Sequence, residues 1–216
     1  MDWRERYERA AERYASGETR NPDERQLVQL ANSAWAAGLS LLMDRSDHRE
    51  AVRWLRLAAK RYRESWDAGG APDAWGRPIG ALKALLIAGD DAADAARWAL
   101  DAGAADAESP IGRYAGVLAL LVLGSDDEAA DLVATLGEDF PRDVADALRG
   151  LAVHDLRVFG PAATSVRRSF EEREAFLEDV PVADTALALE ALARHRFPFV
   201  AAQGLPQPGL EEGGRT

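Results

Sequence analysis

The chain has 216 residues and no cysteine, with 26 Lys and Arg against 37 Asp and Glu, a net charge of -11 at pH 7. The length suits one domain able to bury a core without cross-links, and the missing cysteines exclude disulfides, thiolate nucleophiles and Cys-based zinc sites together. The negative balance disfavours nucleic acid, because phosphates are bound chiefly through Lys and Arg.

From the N-terminus, residues 1–13 are charged and helical with no apolar signal-peptide core behind them. The longest apolar run, Val117–Leu123, is far below the ~20 residues a membrane span needs. A cytoplasmic protein with no membrane partner is the expectation. Trp3–Ser16 puts Tyr7, Ala10, Ala11 and Tyr14 on one helical face. Asn21-Pro22-Asp23 caps a long helix through Leu27, Leu30, Ala34 and Leu41 to Met43. Ser46 or Asp47 caps the next, Glu50 can close a capping box, and Val52, Leu55, Ala58, Ala59 and Tyr62 form its apolar face. Gly69-Gly70-Ala71-Pro72 is the clearest break in the chain.

Residues 78–100 and 110–136 then read as two versions of one unit. Pro78-Ile79-Gly80 returns 32 residues later as Pro110-Ile111-Gly112, and Gly89-Asp90-Asp91 returns as Gly124-Ser125-Asp126-Asp127. Two apolar stretches split by a Gly/Asp turn, at a period in the thirties, predict stacked helical hairpins. Pro141 opens a further helix that Gly160-Pro161 should end. A helix over 162–177 should carry Val166, Phe170 and Phe176 inward, and Val180-Pro181 breaks the chain before a last Ala/Leu-rich helix, Ala183–Arg196. The pattern gives about ten helices and one all-α domain over residues 1–200, with an irregular tail over 201–216 and Phe197–Val200 docked on the last hairpin.

Around Leu121-Val122-Leu123-Gly124, Glu128-Ala129 and Pro141, the chain resembles the tetratricopeptide class of helix–turn–helix repeats. Glu50-Ala51, Leu55 and Ala58 repeat the second-helix pattern earlier. It departs from that family where Val117 replaces the small packing residue and Leu120 the aromatic. The resemblance implies a right-handed stack of antiparallel hairpins over residues 27–140, with a binding groove along the first helices. The stretch FEEREAFLEDVPVADTALALEALARHRFPF is similar to the closing segment of some all-helical bacterial immunity proteins, which implies toxin binding.

No arrangement points to catalysis, a metal or a cofactor. His48, His154 and His195 lie in separate segments without the spacing that puts two imidazoles on one face. His154 reads as a half-buried, hydrogen-bonded helix residue and His195 as a cation at a helix C-terminus. Glu171, Glu174 and Glu178 would share a solvated helix face. Asp90-Asp91 and Asp126-Asp127-Glu128 follow helix-ending glycines and read as N-caps. Trp35, Trp54 and Trp98 read as core. Trp66, Trp75 and Arg77 flank the Gly69–Pro72 break, and Arg113 and Tyr114 open the next repeat; aromatic plus arginine is the composition of interface hot spots. The expected function is therefore non-enzymatic binding of a protein or peptide, acidic segments first, through these five residues, with immunity to a basic toxin as a special case. Two other readings stand beside it. A pocket joining His154 to Glu171 or Asp184 would indicate an enzyme or small-molecule sensor, and a two-fold apolar patch a self-associating protein.

Overall fold

A computed structural model describes residues 2–197. Among them are ten α-helices, a single 3₁₀ turn at Leu177–Asp179 and no strand: α1 (Trp3–Gly17), α2 (Glu24–Asp44), α3 (His48–Asp67), α4 (Gly76–Ala88), α5 (Ala93–Asp101), α6 (Pro110–Leu123), α7 (Asp126–Val133), α8 (Arg142–Ala152), α9 (Leu156–Glu171) and α10 (Asp184–Arg196). The expected tail over 201–216 and Pro198–Val200 lie outside the described residues. Phe197 packs edge-on against His154 and tilted over Phe159.

Side-chain caps explain five of the ten helix starts. Asp2, Asp23, Asp47, Ser109 and Asp155 each accept a backbone N–H of the first turn, and Asp23 with Gln26 completes a capping box. Glu50, expected to close such a box for α3, bonds Arg53 instead. Four consecutive pairs, α2–α3, α4–α5, α6–α7 and α8–α9, pack as hairpins. Each first helix ends on a left-handed residue: Arg45, Gly89, Gly124 and His154. In the last three turns the following N–H (Asp90, Ser125, Asp155) reaches back to Leu85 O, Leu120 O and Gly150 O at 2.9–3.0 Å. This six-to-one closure satisfies a carbonyl that the helix end leaves open.

The fourth hairpin differs from the sequence reading. The chain breaks at Val153–Asp155, not at Gly160-Pro161, and α9 runs through Pro161. His154 is thus a turn residue with φ 53° rather than a helical one. Its ring holds Asp126 at 2.5 Å, offsetting the roughly 1–2 kcal/mol that a left-handed conformation costs an L-residue. Helix α9 stops at Glu171, so Glu171, Glu174 and Glu178 share no helix face; Glu178 pairs with Arg13. Phe176 lies beyond the helix and stacks on Phe170 at 5.1 Å.

Helix α4 serves two apolar clusters. One joins α1–α3 to Ala81, Ala84 and Trp98, with Val180 and Val182 from the segment after α9. The other runs from Trp75 and Leu82 through Leu118, Leu121, Leu148 and Phe159 to Leu189. Helices α4, α6 and α8 lie side by side, and α10 packs on α4, α8 and α9. α10 is buried at Ala186, Ala188, Leu189, Ala191, Leu192 and Ala193, as a helix apolar on most sides must be.

Close backbone approach fixes the α8–α9 contact. A Cβ on Gly150 would stand 2.6 Å from the Phe159 nitrogen and 2.9 Å from its Cα, and main chain cannot swing aside as a side chain can. Gly150→Ala is therefore expected to cost about 1–3 kcal/mol despite the better helix propensity of alanine. Urea unfolding of the variant against the parent measures it.

Candidate functional site

The five residues singled out as a partner site are occupied within the chain. Trp66 packs at 5.9 Å centroid distance against both Trp75, tilted, and Trp98, edge-on. Trp75, Arg77 and Tyr114 are buried. The Arg77 guanidinium pairs with Glu24 and lies against Gly70, where any Cβ would collide with it; burial holds its pKa below the usual arginine range. Arg77 and Arg113 are also not equivalent, since Arg77 precedes Pro78 while Arg113 follows Pro110 by three. Tyr114 packs on Phe140 at 5.5 Å.

Arg113 serves as a staple. Its Nε donates to Ala107 O at 2.9 Å and its Nη1 to Thr135 O at 2.6 Å. It thereby ties the α5–α6 loop to the α7–α8 loop. Two charge-assisted hydrogen bonds are worth about 1.5–3 kcal/mol each, so Arg113→Met should destabilise the fold by at least about 2 kcal/mol. It should also speed amide exchange in residues 101–109 and 134–141. Arg113→Lys should not restore protection, because an ammonium lacks the planar fork of donors.

The face formed by α4, α6 and α8, expected to be an open groove, is covered by α10. Beneath its first turn Lys83 Nζ donates to Asp184 Oδ2 at 3.2 Å and to Thr185 Oγ1 at 2.7 Å. Burial pushes the lysine pKa down, but the charge and hydrogen bond of Asp184 outweigh it and the net shift is upward. The buried Tyr114 hydroxyl sits beside this pair and Thr185; burial pushes its pKa up, Lys83 opposing. At the other end of α10, Arg196 reaches Leu121 O at 2.6 Å and pairs with Asp126, which also holds His154. Asp126 is thus spent on tertiary pairing, and makes no side-chain cap on α7.

His154 is bonded to Asp126 and Asp184 to Lys83, so neither forms the pocket dyad considered above. Four surface clefts, of about 310–630 Å³, are each lined by other residues than Lys83, Tyr114 and Asp184. Among the described residues no three His, Asp or Glu side chains converge to hold a metal ion, and no helix is long and apolar enough to cross a membrane.

Negative charge dominates the exposed surface of residues 68–140. Residues 68–140 hold four cations against thirteen carboxylates, -9 of the net -11. Arg77, Lys83 and Arg113 turn to internal partners, leaving Arg97 outside with Asp94. Asp101, Asp106 and Glu108 on one loop and Glu138 and Asp139 on the next are all exposed. Arg113 holds these two loops together. Beside them a cleft of about 630 Å³ opens between α7 and α8, floored by Val133, Leu136 and Phe140 and edged by Arg142 and Arg149. The sequence signals for this arrangement were a lone lysine inside the apolar run Ala81–Leu86 and a cation-poor stretch from 98 to 141. Comparison with family models, with curated proteins and with solved structures finds no match to the chain.

Proposed function

We propose that the chain is a non-enzymatic protein-binding module of tetratricopeptide-like hairpins whose acidic flank docks a basic partner. The observation that supports this most is the pair of uncompensated acidic loops, stapled by Arg113 beside a cleft with an apolar floor. Fixed carboxylates steer a basic surface and reject acidic ones, while the cleft offers a place for one apolar anchor. An immunity or antitoxin protein that covers a basic toxin is the special case. The partner face in this reading is the α5–α8 flank, because α10 already fills the side where the first helices line up.

The test compares affinity capture by the parent and by Asp106→Lys/Glu138→Lys, both substitutions at exposed positions. One basic partner should be recovered by the parent, released by added salt, and lost from the charge-reversed pair. Equal recovery of the same partner by both would remove the proposal.

A further inference from the structure

A second face carries the opposite sign. On α3, Arg49, Arg53, Arg56, Lys60 and Arg63 recur at steps of four, three, four and three, which aligns five cations along one side of a helix. In a chain of net charge -11 this is the one long basic ridge among the described helices, extending about 21 Å at 1.5 Å per residue. All five side chains reach solvent: Arg53, Arg56, Lys60 and Arg63 are 75, 58, 67 and 48% exposed, and Arg49 is exposed as well.

Inside the ridge Trp54 and Leu57 line a shallow cleft of about 430 Å³ with Glu50, Arg53, Arg56 and Lys60. Trp54, expected in the core, packs against the α1–α3 cluster from its edge and is half-buried. Tyr7 and Tyr14 brace it edge-on from α1 at 6.4 and 5.3 Å, so the indole is held in place from behind. A braced tryptophan beside two arginines is the composition in which binding energy concentrates. The cations have partners in the chain: Arg53 with Glu50, Arg56 with Asp90, Lys60 with Glu64 at 3.7 Å, Arg63 with Asp67. The Arg53 and Lys60 pairs are single contacts within the helix, which contribute little and exchange readily for another carboxylate, whereas Arg56 holds Asp90 through two hydrogen bonds.

We infer that the outer face of α3 docks an acidic amphipathic helix of a second protein, with carboxylates at three- and four-residue spacing and one apolar side chain seated on Trp54 and Leu57. The three-four spacing matches ridge-to-groove packing of two helices. A nucleic acid fits less well, because a phosphate backbone has no apolar group for the cleft. This inference is independent of the acidic flank, which lies on other helices.

The test is selection of displayed helical peptides of 20 residues, the length of α3, on the parent protein, with Arg53→Glu/Lys60→Glu as counter-selection bait. Enriched peptides should carry Asp or Glu at helical spacing with one Leu, Phe or Trp. A synthetic winner should bind about tenfold or more weaker to the double variant, weaken in high salt, and shift the Trp54 indole N–H resonance, assigned through Trp54→Phe. The double variant should keep the parent's melting temperature, since its changed groups are exposed. Winners that are neutral or basic, or that bind the double variant equally, overturn the inference. So does tighter occupation of the same face by duplex DNA, or by a second copy in sedimentation velocity.

Discussion

Asp184→Ala is expected to lower the unfolding free energy by about 3–5 kcal/mol, because it strands the Lys83 ammonium inside the protein. The side chains of Lys83 and Asp184 are only 12 and 19% exposed, so water cannot replace the lost carboxylate, and Thr185 alone remains to accept from Nζ. The companion experiment separates a stranded charge from lost packing. Lys83→Met/Asp184→Leu removes both charges and should recover most of the loss, since an apolar pair of similar volume is often neutral in such a site. Equal instability of the single and double variants in urea would show that the ion pair is not what the site depends on. The same node sets the alkaline limit. The pKa of Lys83 is raised on folding, so its contribution is complete below the ordinary lysine value and is lost as pH rises through the folded one. Burial also raises Tyr62 and Tyr114, which must stay protonated in the folded state. Stability should therefore fall steeply above about pH 10, and the fall should be shallower in Lys83→Met.

The second large effect concerns α10. A chain ending at Ala183 should lose the cooperative unfolding transition of its second half and bind a hydrophobic dye. Its helicity should drop by more than the missing residues account for. Ala186, Leu189, Leu192 and Ala193 are at most 3% exposed, and they complete the cluster that contains Leu82, Leu118, Leu148 and Phe159. Without them one side of α4 and α8 faces water, at about 1.5–3 kcal/mol for each large apolar side chain uncovered. Leu189→Ala alone should cost about 2–5 kcal/mol. A truncated protein that melts in one sharp transition near the full-length temperature would mean that α10 is an appendage.

What the sequence made legible and what it did not have a common physical origin. The all-α class, the helix count and the two hairpins over 78–136 follow from local signals, namely apolar spacing, caps and glycine at the turns. The fourth hairpin escaped because its turn uses His154 in a conformation that glycine supplies at Gly89 and Gly124. Pro161 then misled in the other direction. Proline in a helix interior lacks an N–H and crowds the preceding turn, yet the Asp155 cap and the buried Phe159, Ala162, Ala163 and Val166 keep α9 continuous. The partner residues were chosen on composition, and tryptophan with arginine reads alike whether solvent or protein surrounds it. Trp75 and Arg77 went inside, while Trp54 stayed half-buried at the edge of the core. The position of α10 depends on contacts such as Lys83 with Asp184, 101 residues apart, and no local pattern encodes a pairing at that separation.

Because α10 is fastened at one end to α4 and at the other to the α6–α7 turn, it acts as a ruler. Thirteen residues of helix measure about 20 Å, and that length sets how far apart those two anchor points can lie. Open solenoids grow by copying a repeat, each added unit meeting only its neighbour. Here one more hairpin inserted after α5 would carry the second anchor out of reach, so duplication within this lineage would have to rebuild the final helix at the same time.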